Sequence, residues 1–194
     1  MKTIIYLHGF NSSSHSEKAQ LTKFFFNEAA QAFKLHIPQL PSEPKMAIKK
    51  LHELIESLGP EAVAGFIGSS LGAYYSLFLH QLYGLPAVLI NPALKPYELL
   101  SGYLGENMNP YTGEKYRVEV EHMQQLKSLE VPNSANPKNL YLLTQTGDEV
   151  LDYREALLEL SGVQAWIVSG GDHAFQTYRD VLPSILAFFE RRCL

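Results

Sequence analysis

Three short stretches, far apart in the chain, carry residue types that can do covalent chemistry together. Gly68-Ser69-Ser70-Leu71-Gly72 sets a serine between two glycines, Thr146-Gly147-Asp148 offers a carboxylate, and Gly170-Gly171-Asp172-His173 offers an imidazole. A neutral serine hydroxyl is a poor nucleophile until a base takes its proton as the bond to carbon forms. His173 can be that base for Ser70, and a carboxylate such as Asp148 on the other ring nitrogen would fix the tautomer and stabilise the imidazolium. The chemistry is acyl transfer to Ser70. Its oxyanion needs backbone N–H donors, for which Leu71, at the start of the helix after the serine, and Phe10, in His8-Gly9-Phe10, are the candidates.

Each choice has a rival. Of the seven histidines only His8 and His173 lie just past an apolar run, and His8 reads as shaping its loop. Asp172 adjoins His173 and would have to fold back to reach it. Asp152 stands where the next helix begins, as an N-cap would. Asp148 is therefore the preferred acid.

These residues converge only if each sits just beyond the C-terminal end of a strand in an open parallel sheet, where ligands bind. The apolar runs allow it. Thr3–Leu7, Phe33–Ile37, Ala62–Ile67, Leu85–Ile90, Leu140–Leu143 and Gln164–Val168 read as six strands, apolar enough to be buried on both faces. Helical spacing appears from Ser14 or Ser16 to about Ala32, from Ala47 to Leu58, after Leu71, over about Tyr153–Leu160, and from Thr177 to Arg191. Glycine at 68 and 72 removes the Cβ atoms that would clash where a strand turns sharply into a helix. The expectation is one α/β domain over residues 1–194, with about six mostly parallel strands and helices on both faces.

The alternation breaks between Pro92 and Pro137, which reads as a lid-like insertion at about 93–137 over the C-terminal sheet edge. It lacks a buried-strand pattern. Tyr103, Tyr111 and Tyr116 are its candidate substrate contacts, and the plainer reading is an irregular helical crossover with exposed tyrosines.

Composition narrows the function. The 194 residues are 46% hydrophobic and can build a core without staples, while a formal charge of -4 with scattered lysines and arginines leaves no nucleic-acid footprint. The single cysteine, Cys193, excludes an internal disulfide and reads as an exposed tail thiol. The first apolar run stops at His8-Gly9, too early for a signal peptide, and no stretch is long enough to span a bilayer. A soluble cytoplasmic protein with no membrane partner is expected. No phosphate loop, dinucleotide glycine pattern or metal-ligand spacing is present, so no cofactor and no metal are expected.

Taken together, His8-Gly9-Phe10, the Gly68–Gly72 motif, Gly147-Asp148-Glu149-Val150 and Gly171-Asp172-His173 resemble the α/β-hydrolase superfamily, including its chain order of serine, acid and histidine. HGFNSSSHSEKA, IGSSLGAYY, NPALKPYELL, NPYTGEKY, TGDEVLDYR and GGDHAF look like the small bacterial esterases of the YqiA type. The resemblance implies a cytoplasmic serine esterase that hydrolyses small, short-acyl carboxylic esters through an acyl-enzyme, without a cofactor. It puts the triad on Ser70, Asp148 and His173; against the full fold, the chain is expected to depart in starting at what would be the third strand and in having a short lid. A thioesterase or acyltransferase shares the acyl-enzyme and is the nearest alternative. A ligand-binding or receptor protein that keeps the pocket without turnover is the alternative of another class.

Overall fold

The computed structural model describes residues 1–30, 32–132 and 136–193. In chain order the elements are β1 (Lys2–Leu7), α1 (Glu17–Ala29), β2 (Phe33–His36), α2 (Pro44–Leu58), β3 (Val63–Ser69), α3 (Leu71–Tyr83), β4 (Ala87–Ile90) and α4 (Pro96–Leu99). There follow β5 (Gly105–Met108), β6 (Lys115–Val118), α5 (Val120–Lys127), β7 (Leu140–Gln145), α6 (Tyr153–Glu159), β8 (Gln164–Val168) and α7 (Tyr178–Cys193).

Six strands form one sheet in the order β2-β1-β3-β4-β7-β8, every neighbouring pair parallel. The alternation of side chains across each strand divides the core in two. Ile5, Leu7, Phe66 and Leu89 face Leu51 and Ile55 of α2 and Leu77 of α3, while Ile4, Tyr6, Ile67 and Val88 face Phe26 of α1 and Ile185, Phe188 and Phe189 of α7. Helices thus cover both faces, and the four inner strands carry near-continuous apolar runs because neither face meets water.

Four sequence expectations change. Gln164–Val168 forms a strand, but as β8 it is the sheet edge and is exposed along most of its length, with Trp166 42% exposed, because it has a strand neighbour on one side only. The Pro92–Pro137 stretch does contain strands: β5 and β6 pair as an antiparallel hairpin, Gly105 opposite Val118 and Met108 opposite Lys115. Their alternation is too polar to read as a buried strand, since one face looks to solvent. Cys193 is half-buried rather than an exposed thiol, its Sγ 3.3 Å from the Ala64 carbonyl oxygen, and burial raises its pKa. The helix expected from Ala47 starts three residues earlier, because Pro44 opens α2 at a position that needs no N–H donor. Residues 133–135 of the expected insertion, and residue 31 within the expected reach of the first helix, lie outside the described residues. No helix among the described residues is long and apolar enough to cross a membrane.

The glycines at 68 and 72 have a steric cause. A Cβ on Gly72 would lie 2.0 Å from the Leu7 carbonyl oxygen, and one on Gly68 would lie 2.2 Å from that of Gly72. The first turn of α3 therefore rests directly on the ends of β1 and β3. Gly72→Ala should cost more than about 3 kcal/mol in a chemical-denaturation experiment, because backbone has to move. Gly102→Ala, with nothing within 4 Å of its Cβ position, should stay within about 0.5 kcal/mol of the parent. Equal midpoints for the two variants would contradict this account of the motif.

Candidate active site

The chain leaves β1 toward β2 on one side and returns to β3 on the other, so β1 and β3 flank a topological switch point with a crevice beyond their carboxyl ends. Ser70 stands there, between β3 and α3. Its φ of 55° and ψ of -119° are a backbone conformation that costs a non-glycine residue about 1–3 kcal/mol. Hydrogen bonds hold it: the Ser70 N–H donates to the Ile90 carbonyl at 3.0 Å, and the Ser70 carbonyl accepts from the N–H groups of Ala73 and Ala93 at 3.0 and 3.3 Å.

Ser70, His173 and Asp148 are brought together. His173 Nε2 lies 3.1 Å from Ser70 Oγ, and its Nδ1 lies 2.9 and 3.1 Å from the two Asp148 oxygens. With the proton on Nδ1, the ring donates to the carboxylate and presents a lone pair to the serine hydroxyl. The Asp148 side chain is 2% exposed and that of His173 25%. Burial by itself would raise the Asp148 pKa, but hydrogen bonds from His173 and from the Leu151 and Val150 amides outweigh it, and the group is held below its ordinary value.

The rival acids are engaged elsewhere. Asp152 caps α6, accepting the Arg154 N–H at 3.0 Å, and pairs with the Arg154 guanidinium at 2.6 Å; the side-chain hydrogen bond to Arg154 is the main reason its pKa falls to about 2. Asp172 accepts from Gln176 Nε2 through Oδ2.

A buried polar network that the sequence reading missed holds the histidine loop. Asn91 Nδ2 donates to the carbonyls of Asp172 and His173 at 3.1 and 3.2 Å, and Asn91 Oδ1 accepts from the Gln145 N–H at 3.0 Å. Gln145 Oε1 takes the Asp172 N–H and its Nε2 donates to the Gln176 carbonyl. Both side chains are fully buried, so each bond replaces one to water at a site where an unpaired group would be costly. The signal was present: each is a polar amide at the carboxyl end of an otherwise apolar strand. Lys18 adds a third clamp, its Nζ donating to the Ala174 carbonyl at 2.7 Å.

The opposite wall is the loop after β1. His8 is buried; its Nε2 accepts the Leu40 N–H at 3.0 Å and its Nδ1 donates to the Gly9 carbonyl, so it shapes the loop in its neutral form. The backbone N–H groups of Phe10 and Leu71, both beside Ser70, donate to no protein acceptor among the described residues. The insertion is fastened to this loop. Tyr103 and Tyr116 meet the Phe10 ring edge-on at 5.1 and 6.3 Å, the Tyr116 hydroxyl donates to Asn11 Oδ1, and Asn109 Nδ2 donates to the Ser12 carbonyl at 2.8 Å. Tyr111 stands apart from these contacts, exposed and lining a second groove that also reaches Ser70. Between the insertion and Ser70 lies an apolar pocket of about 190 Å³, walled by Phe10, Leu71, Leu99, Leu100, Tyr103 and Val150.

Comparison with known proteins places the chain. It belongs to the family described as "Uncharacterised protein family (UPF0227)", whose model matches residues 3–190. A UPF0227 protein of Pasteurella multocida is 32% identical over 101 residues; the match takes in 51% of this chain and spans about half, 55%, of that relative. Among solved structures, Est1E from Butyrivibrio proteoclasticus with ferulic acid bound superposes with a TM-score of 0.78 at 12% identity, covering 99% of this chain and 89% of that one. The esterase domain of a Rhodothermus marinus protein superposes with a TM-score of 0.74 at 16% identity, covering 100% and 88%. The fold is that of the α/β-hydrolase superfamily.

The state of His8 leads to a pH prediction. Burial lowers its pKa, and the bond to Gly9 opposes this only in part. The unfolded chain then binds the proton more tightly, so the His8 contribution to stability is complete above the unfolded value of about 6.5 and is lost as pH falls from there through the folded value. His36 and His80 shift in the same direction, mainly through burial. The melting temperature should therefore fall between about pH 7 and pH 5, and His8→Gln should remove part of that slope. An unchanged slope in the variant would take His8 out of the account.

Proposed function

As a member of the UPF0227 family with this arrangement at its sheet edge, the protein is, we propose, a serine esterase that hydrolyses short-acyl carboxylic esters through an acyl-enzyme. One observation carries the reading: a single imidazole stands 3.1 Å from a serine hydroxyl and 2.9 Å from a buried carboxylate. In this reading His173 takes the Ser70 proton as Oγ attacks the ester carbonyl, and Asp148 steadies the imidazolium. The N–H groups of Phe10 and Leu71 are the donors to the oxyanion; Leu71 adds the positive end of α3. His173 then gives its proton to the departing alcohol, and water repeats the sequence on the acyl-enzyme.

The small pocket supports a short acyl chain, since about 190 Å³ falls below the range of roughly 300–1,000 Å³ usual for drug-sized ligands. The esterase named among the structural neighbours, and Est1E with its bound ferulic acid, support the ester class by kinship of fold. The chemistry needs no cofactor, and the proposed setting is the cytoplasm, with the insertion at about 93–137 as a short lid on a single domain.

A fluorophosphonate probe tests this directly. The wild-type chain should be labelled at one residue, Ser70, with loss of p-nitrophenyl butyrate turnover in step with labelling, while a folded Ser70→Ala variant should show neither. A folded wild-type chain that resists the probe would favour a ligand-binding protein on the same fold.

A further inference from the structure

Beside the apolar pocket, and sharing Phe10, Ser70 and His173 with it, runs a groove of about 340 Å³ that reaches the start of α1. Its floor is polar in an unusual way. Tyr6 and Ser16 are 1% and 7% exposed as residues, both line this groove, and neither hydroxyl has a protein hydrogen-bond partner among the described residues. Ser16 caps α1 without using its side chain for the cap. The one buried side-chain polar atom without a partner among the described residues is Asp172 Oδ1, so the Tyr6 and Ser16 hydroxyls open onto the groove, where a ligand beside Ser70 can take the bonds that water otherwise makes. Ser12 and Tyr111 bring two further hydroxyls to the walls.

The charges around the groove choose among polar ligands. Lys18 is its one cation, already donating to the Ala174 carbonyl, and the carboxylates of Asp172, Asp148 and Glu17 act on it. No excess positive field remains to hold an anion, and a cation would meet the Lys18 ammonium. Hydroxyls that can both donate and accept match hydroxyls of the same kind. The neighbouring apolar pocket suits the acyl chain.

Resting on the esterase reading, we propose that this groove is the alcohol subsite and is built for a neutral polyhydric alcohol of glycerol or monosaccharide size, presented as its short-chain ester. Ser70 Oγ bonds to the acyl carbon as its proton passes to His173 Nε2. The bond from that carbon to the alcohol oxygen breaks, and the same proton goes to that oxygen, so the polyol leaves neutral into the groove. Tyr6 and Ser16 then act as specificity residues: they touch the alcohol, and the apolar pocket sets acyl length.

The test is kcat/KM of the full chain on four esters with one acyl group: ethyl butyrate, glyceryl monobutyrate, 6-O-butyryl glucose and the anionic O-butyryl glycolate. At least one polyol ester should exceed ethyl butyrate by on the order of tenfold, and Tyr6→Phe and Ser16→Ala should each cut that ratio by about threefold or more, as expected for single neutral hydrogen bonds. Because each ratio is taken on one preparation, a lower folded fraction cancels. Equal rates for ethyl and polyol esters, a preference for the glycolate ester, or ratios unchanged in both variants would overturn the subsite in a chain whose Ser70 still reacts with the fluorophosphonate. A folded chain that neither reacts with the probe nor turns over any ester would instead overturn the esterase reading, and this one with it.

Discussion

The site depends on how closely the first turn of α3 approaches the end of β1. Backbone rests on backbone there, with the Leu7 carbonyl where a side chain of residue 72 would begin. That contact forces the sharp reversal after β3, and the reversal leaves Ser70 in its strained conformation with the Leu71 amide facing the same crevice. The strain is local and fixed by backbone hydrogen bonds to the end of β4, so Ser70 is positioned by the sheet rather than by its own flexibility. The loop after β1 completes the arrangement, since a Cβ on Gly9 would come within 3.2 Å of the Ser70 Cβ and of the Ser69 carbonyl oxygen.

The other members reach the crevice because the sheet is parallel and every carboxyl end opens on one edge. Asp148 follows β7 and His173 follows β8, adjacent strands at the far side of the sheet from β1. β8 is a weak support, exposed and paired on one side only, and the histidine loop is correspondingly pinned from inside by Asn91 and Gln145 and from outside by Lys18. The hairpin ties to the opposite loop through Tyr116 and Asn109. The crevice is left with an apolar side beneath the insertion and a hydroxylated side beneath α1.

Much of this was legible in the sequence because strong signals coincided. The inner strands are apolar on both faces, the elbow glycines answer to a steric need, and the residues ending β1, β3, β7 and β8 include the types that acyl transfer requires. What escaped depends on tertiary context. An edge strand and an inner strand of the same composition differ only in what lies beside them, which Ala165, Trp166 and Ile167 do not announce. The β5–β6 hairpin is held by cross-strand pairing around a polar turn and carries no core pattern. Asn91 and Gln145 are single polar residues whose partners lie tens of positions away, and the free hydroxyls of Tyr6 and Ser16 emerge only when the groove is built.

The central claim is that the buried Asp148–His173 pair activates Ser70, and exchanging one carboxylate oxygen for an amide tests it most directly. In Asp148→Asn the remaining oxygen can keep its bonds from the Val150 and Leu151 N–H groups, which preserves the turn, while the amide nitrogen now faces His173 Nδ1 and favours the tautomer with no lone pair toward the serine. Turnover and melting temperature should be measured beside Asp152→Ala. The account predicts that Asp148→Asn folds normally and loses on the order of 10⁴ in kcat, as the equivalent change does in a serine protease, whereas Asp152→Ala stays active and loses about 1 kcal/mol of stability with its helix cap. An active Asp148→Asn beside a folded but inactive Asp152→Ala would contradict it.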